Sequence, residues 1–86
     1  MNISVELTLS PLQDTFEDII IHFIKKLRAS GLIVLENPLS TQVYGEYDKV
    51  MNILNTEIKE AFELMDKGLL HIKIVKSDRS TYEPHF

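Results

Sequence analysis

The stretch Asn37-Pro38-Leu39-Ser40-Thr41-Gln42-Val43-Tyr44-Gly45-Glu46 decides how the rest of the chain is read. The ring of Pro38 fixes its own φ and pushes Asn37 into an extended conformation, so the segment opens on a turn. Thr41, Val43 and Tyr44 suit a pleated, half-buried surface and predict a strand over Ser40 to Glu46. Alternation along that strand gives one face to Ser40, Gln42 and Tyr44 and the other to Thr41, Val43 and Gly45. The first face is polar although hydrophobic elements flank the strand. Such a face is either half solvated or built to hold something polar.

Upstream, Asn2 to Ser10 alternates cleanly, with Ile3, Val5, Leu7 and Leu9 against Ser4, Glu6 and Thr8, and predicts a half-buried strand. Ser10-Pro11 ends it, and Asp14 with Glu17 has the spacing of a capping box. Phe16, Ile19, Ile20, Phe23, Ile24 and Leu27 then make one apolar helical stripe, with Gly31 as the left-handed residue beyond it. Leu32 to Glu36 reads as a second strand.

Downstream, Asp48 is the expected cap of a second helix. Its apolar face is Val50, Ile53, Leu54, Ile58, Ala61, Phe62 and Met65, and Gly68 is expected to close it. Leu69 to Lys76 reads as a fourth strand, with Leu70, Ile72 and Ile74 inward and His71, Lys73 and Val75 outward. The order strand-helix-strand, strand-helix-strand predicts a ferredoxin-like βαββαβ domain of the α+β class over residues 1–76, with a C-terminal tail over 77–86. Both helices should cover one face of a four-stranded antiparallel sheet, with the first and third strands as central neighbours. The open face then gathers Ser4, Glu6, Thr8, Gln42 and Tyr44, with His71 and Lys73 beside them.

Composition narrows the function. The 86 residues carry a formal charge of −4 with acids and bases interspersed, and only Tyr44 is placed as an exposed aromatic on a central strand. Both features speak against nucleic acid as a partner. There is no cysteine, hence neither a disulfide framework nor a thiolate metal site. His22, His71 and His85 are not spaced as metal ligands. No nucleophile elbow or phosphate-cradling glycine loop is present, which argues for a protein that is not an enzyme and has no catalytic residues. Glu6 near His71 has the makings of an acid–base pair, although such pairs more often serve structure or binding. The opening Met-Asn-Ile-Ser-Val-Glu has no basic or apolar leader region, and no run approaches the roughly 20 apolar residues of a membrane span, so cytoplasmic residence without a membrane partner is expected. A small domain without staples gains burial by self-association.

An antiparallel sheet can be polar on one face simply because that face meets water. Here, however, the outward set has few long flexible charges and combines an acid, hydroxyls, an amide and a phenol, groups that together orient a small polar ring.

Three segments carry a resemblance to a known family, the small thiamine-binding proteins of the YkoF-like, single-domain ferredoxin-like type. Ile3-Ser4-Val5-Glu6-Leu7-Thr8-Leu9-Ser10-Pro11-Leu12 resembles the family's first strand, which ends in a similar Pro-Leu. Asn37 to Glu46 resembles its proline-to-Thr-x-Val/Ile-x-Gly-Glu stretch. Ala61-Phe62 through Gly68 and the strand beyond resemble its second helix and last strand. The resemblance spans the chain from the first strand to the fourth. It implies a cytoplasmic protein that binds thiamine or its hydroxymethylpyrimidine moiety without transforming it and uses no further cofactor. It also implies a homodimer or homotetramer paired through the sheet, with the ligand on the open face at the subunit interface. On that basis Glu6 would accept from the amino group or face the thiazolium charge, and Thr8, Ser40, Thr41 and Gln42 would complete the hydrogen bonds. Asn37 would reach in from the turn, and Tyr44 would lie against the ring. The competing expectation is a sheet-paired regulatory or interaction domain without pyrimidine affinity, like the amino-acid-sensing ferredoxin-like modules.

Overall fold

The computed structural model describes residues 1–86. The elements follow as β1 (Asn2–Pro11), α1 (Phe16–Arg28), β2 (Ile33–Glu36), β3 (Thr41–Glu46), α2 (Tyr47–Glu63) and β4 (Gly68–Val75). The four strands form one antiparallel sheet in the order β2-β3-β1-β4. This is the ferredoxin-like α+β arrangement. Burial follows the alternation of β1: Ile3, Val5 and Leu7 are 1% exposed and Leu9 9%. Fully burying side chains of this kind contributes about 1.5–3 kcal/mol each. They pack with Val43 of β3, Ile19, Phe23 and Leu27 of α1, and Val50, Leu54 and Ala61 of α2.

The helix boundaries correct three expectations. α1 begins at Phe16 with Thr15 as its N-cap, so Asp14 lies one residue too early to cap it. The Thr15 hydroxyl accepts from Gln13 Nε2 at 2.7 Å and makes no cap hydrogen bond. β3 passes straight into α2, whose first N–H, on Tyr47, bonds the Met1 carbonyl at 2.9 Å. The cap is therefore Glu46, whose carboxylate accepts from Lys49 N at 3.1 Å, and Asp48 falls inside the first turn. α2 ends at Glu63, so Gly68 opens β4 instead of closing the helix. Gly31 does take the expected left-handed conformation, at φ 87°.

Ile72 and Ile74 pair with Leu7 and Val5 on the helix side, as expected, yet they are not enclosed: they are 43% and 46% exposed. β4 is an edge strand, and both helices make their close approaches to β1, β2 and β3. The ends of the apolar stripes are similarly open, with Phe16 and Phe62 half exposed. No helix is long and apolar enough to cross a membrane.

Candidate functional site

Register builds the open face row by row, because residues paired across an antiparallel ladder point to the same side. One row reads Ile33, Tyr44, Ser4 and Val75, and the next Leu35, Gln42, Glu6 and Lys73. Beyond them Thr8 pairs with His71. Glu6 occupies the middle of its row. Its Oε2 accepts from Ser40 Oγ at 3.0 Å, and its Oε1 lies 3.6 Å from Lys73 Nζ. Ser40 Oγ in turn accepts from Gln42 Nε2 at 2.9 Å. A carboxylate, a hydroxyl and an amide are thus joined on a surface where Glu6 remains 45% exposed. They leave lone pairs and N–H groups free for a guest.

A notch adjoins this cluster. β1 loses its β3 partner after the Leu7–Thr41 pair, so the β1 edge from Thr8 onward has no strand on that side. The turn between β2 and β3 arches over the gap. Its shape is set by Asn37, whose Oδ1 accepts from the backbone N–H groups of Leu39 and Ser40 at 2.8 and 2.9 Å. This is the Asx-type turn that Asn forms by mimicking a backbone carbonyl. The resulting recess, about 230 Å³, has apolar walls that include Leu9, Ile20 and Ile24, and polar groups from Thr8, Ser40 and Thr41. Thr41 is only 8% exposed, yet its hydroxyl has no partner in the chain and is not sealed from solvent. It opens onto the recess.

The residues after β4 are not free of the sheet. The Ser4 hydroxyl donates to the Ser77 carbonyl at 2.7 Å and accepts from Arg79 N at 2.8 Å, which leaves Ser4 only 7% exposed. Arg79 Nε donates to Ser77 Oγ at 3.0 Å. Arg79 therefore turns back over the open face. With Lys73, Glu6, Gln42 and Tyr44 it lines a shallow depression of about 190 Å³.

The seven candidate residues thus fall into two adjoining groups. Glu6, Gln42 and Tyr44 line the open-face depression, while Thr8, Asn37, Ser40 and Thr41 line the notch. Ser40 joins them through its bond to Glu6. Thr41 sits on the helix side of β3, opposite Leu7, and reaches the recess only because the strand starts there. The side-chain oxygen of Asn37 is already taken up by the turn. Sequence reasoning missed Arg79, because an arginine within the polar, aperiodic tail gives no signal of its placement. It also missed that Ile33 and Leu35 stand on the open face, 55% and 47% exposed. Their parity with Tyr44 and Gln42 across a short hairpin is the signal that reveals it.

Of the histidines, His22 joins the helices instead, its Nε2 lying 2.9 Å from Glu60 Oε1. That hydrogen bond is the main reason the Glu60 carboxyl is held below its usual range. Glu57 beside it is pushed the other way, first by burial and then by its hydrogen bond with Glu60. His71 stands on the open face opposite Thr8, and His85 lies against Phe86 near the C-terminus.

Comparison with known proteins agrees with the fold. No family model matches the chain. No curated protein matches it. Among solved structures, a candidate thiamine biosynthesis/salvage protein from Thermotoga maritima superposes with a TM-score of 0.81 at 18% identity, over 90% of this chain and 85% of that one. A Streptococcus pneumoniae protein whose name states no activity gives 0.85 at 24% identity, over 94% of this chain and 92% of that one. A Bacillus cereus domain of unknown function, DUF77, gives 0.76 at 15%, over 91% and 78%. At these identities the likeness establishes a shared fold.

Proposed function

We propose that this chain is a YkoF-like, non-catalytic binding protein for thiamine or its hydroxymethylpyrimidine moiety. The ligand lies along the open face with its pyrimidine ring in the notch, and the sheet of a second copy covers it. One observation carries this reading: the unpartnered Thr41 hydroxyl opens into an apolar recess directly beside the hydrogen-bonded Glu6–Ser40–Gln42 cluster. An aminopyrimidine needs flat apolar walls with donors and acceptors at its rim, and the recess offers both. Glu6 then faces the thiazolium charge, and Tyr44 flanks the ring system. The shared fold with the Thermotoga maritima protein supports the ligand class.

Isothermal titration with thiamine and, separately, hydroxymethylpyrimidine tests the proposal. Saturable binding of either at micromolar dissociation constants or tighter is expected. A flat trace with both, on folded protein, overturns it.

One observation favours a second reading, a sheet-paired interaction domain without pyrimidine affinity. Ile33 and Leu35 form an exposed apolar strip on the open face, and such a strip is suited to contact with another sheet. Light scattering on Leu35→Lys separates the two readings when set beside the titration. Loss of self-association in a chain that never binds pyrimidine selects the interaction domain.

A further inference from the structure

We infer that the open face carries an anion subsite formed by Arg79 and Lys73, and that the ligand is a phosphate ester of the thiamine type. The inference rests on the binding reading above and specifies its ligand class.

Charge is the first ground. The chain as a whole is acidic, at −4. Yet the depression around Glu6 holds one carboxylate and two cations, Lys73 and Arg79. Lys73 lies against Glu6 at 3.6 Å and offsets its charge. Arg79 has no carboxylate partner: the ion pairs of the chain join Met1 to Glu46, His22 to Glu60, Arg28 to Glu36 and Lys73 to Glu6. Its neighbour Asp78 is turned to the Ser80 N–H instead, at 2.9 Å. The depression is left with one net positive charge that nothing in the chain neutralises.

Order is the second ground. Arg79 is not a loose surface arginine, because its backbone N–H is bound by the hydroxyl of the buried Ser4 and its Nε by Ser77 Oγ. Nε is thereby occupied, and the two terminal nitrogens of the guanidinium remain free. They form a planar fork that matches two oxygens of a phosphate.

Spacing is the third ground. Along β1 the groups run from Thr8 at the notch through Glu6 to Ser4, which anchors Arg79. With about 3.3 Å per residue, Thr8 and Ser4 are roughly 13 Å apart. An extended pyrimidine–thiazolium–phosphate molecule has about that length and the same sequence of chemistries. Its neutral donor–acceptor ring meets the hydroxyls of the notch, its cation meets Glu6, and its dianion meets Lys73 and Arg79.

The test is titration of the full chain with thiamine and with thiamine monophosphate, repeated on Arg79→Gln and Lys73→Gln, with circular dichroism confirming that each variant is folded. For the unaltered chain the monophosphate is expected to bind about tenfold tighter or more, as two charge-assisted contacts allow. That preference should weaken at raised ionic strength. Arg79→Gln should remove most of the preference while leaving thiamine affinity within about twofold, since the fork touches only the phosphate. Equal affinities for the two ligands in the unaltered chain, or a preference that survives in both variants, overturns the anion subsite and leaves the thiamine reading standing. Binding of neither ligand overturns both.

Discussion

The hydroxyl of Ser40 donates to the carboxylate of Glu6 at 3.0 Å, tying the turn after β2 to the middle of β1 across 34 residues of chain. The same hydroxyl accepts from Gln42. Glu6 thus stands between a neutral hydrogen-bonded partner and the Lys73 ammonium, on a face that stays open to a guest.

Glu6→Leu should weaken ligand binding by about 10- to 100-fold, the usual loss when a hydrogen bond to a charged group is removed. Self-association should persist, because an apolar side chain is tolerated where two sheets meet. Titration and light scattering on the same preparation check both. Loss of both together with the fold would make Glu6 a structural residue.

Thr41→Val removes a hydroxyl that nothing in the chain engages, so the melting temperature should stay the same or rise slightly. Ligand affinity should fall about five- to tenfold, the equivalent of one neutral hydrogen bond. A melting temperature lowered by many degrees would show that the hydroxyl serves the fold.

Gly45→Ala should destabilise the domain by about 1–3 kcal/mol, the typical cost of overpacking. A Cβ there would come within 2.9 Å of Leu32 Cδ2 and 3.2 Å of Val50 Cγ2, where β3 lies beneath α2. Thermal unfolding reads this directly, and an unchanged midpoint would mean that Leu32 simply moves aside.

Ser4→Ala should release the segment beyond β4. The Ser77 carbonyl and the Arg79 N–H lose their partner, at a cost of about 1–2 kcal/mol where water replaces it only in part. Hydrogen exchange at the Arg79 amide should accelerate while the β1 core amides stay protected. Equal exchange in both proteins would show that the anchor lies elsewhere.

The acid response should depend on His22. Glu60 is held below its usual value chiefly by the His22 hydrogen bond, and Asp78 is lowered by its bonds to Ser80. Their stabilisation is present above the ordinary carboxylate range and is lost as pH falls through their folded values. Glu57, raised mainly by burial, acts in the opposite sense: its contribution is present below its ordinary value and lost as pH rises through the folded one. His22→Ala should therefore lose less stability than the unaltered chain on acidification from about pH 6 to pH 3. Denaturant midpoints across that range decide it, and parallel curves would show that the His22–Glu60 contact carries no weight in solution.

Local patterning made much of this fold legible. The period-two alternation of β1 and β4 assigned their faces correctly, and the polar half of β3, Gln42 and Tyr44, landed beside Glu6 and Ser4 as expected. The helix starts were misplaced by one or two residues because a capping side chain acts only where the backbone actually turns. At α2 that point is set by β3 running into the helix, which makes Glu46 the cap.

The sequence by itself determined the order of elements, the faces of β1, β3 and β4 and the absence of thiol chemistry, because alternation, helical spacing and composition are properties of neighbours along the chain. The tertiary structure alone decided that β1 outruns β3 and leaves a notch, that Thr41 reaches that notch from the helix side, and that Arg79 returns to the open face on the Ser4 hydroxyl. Each of these depends on strand lengths, on register and on a contact spanning 75 residues. No local propensity encodes such a relation, since its stabilisation exists only once the distant partners have been brought together.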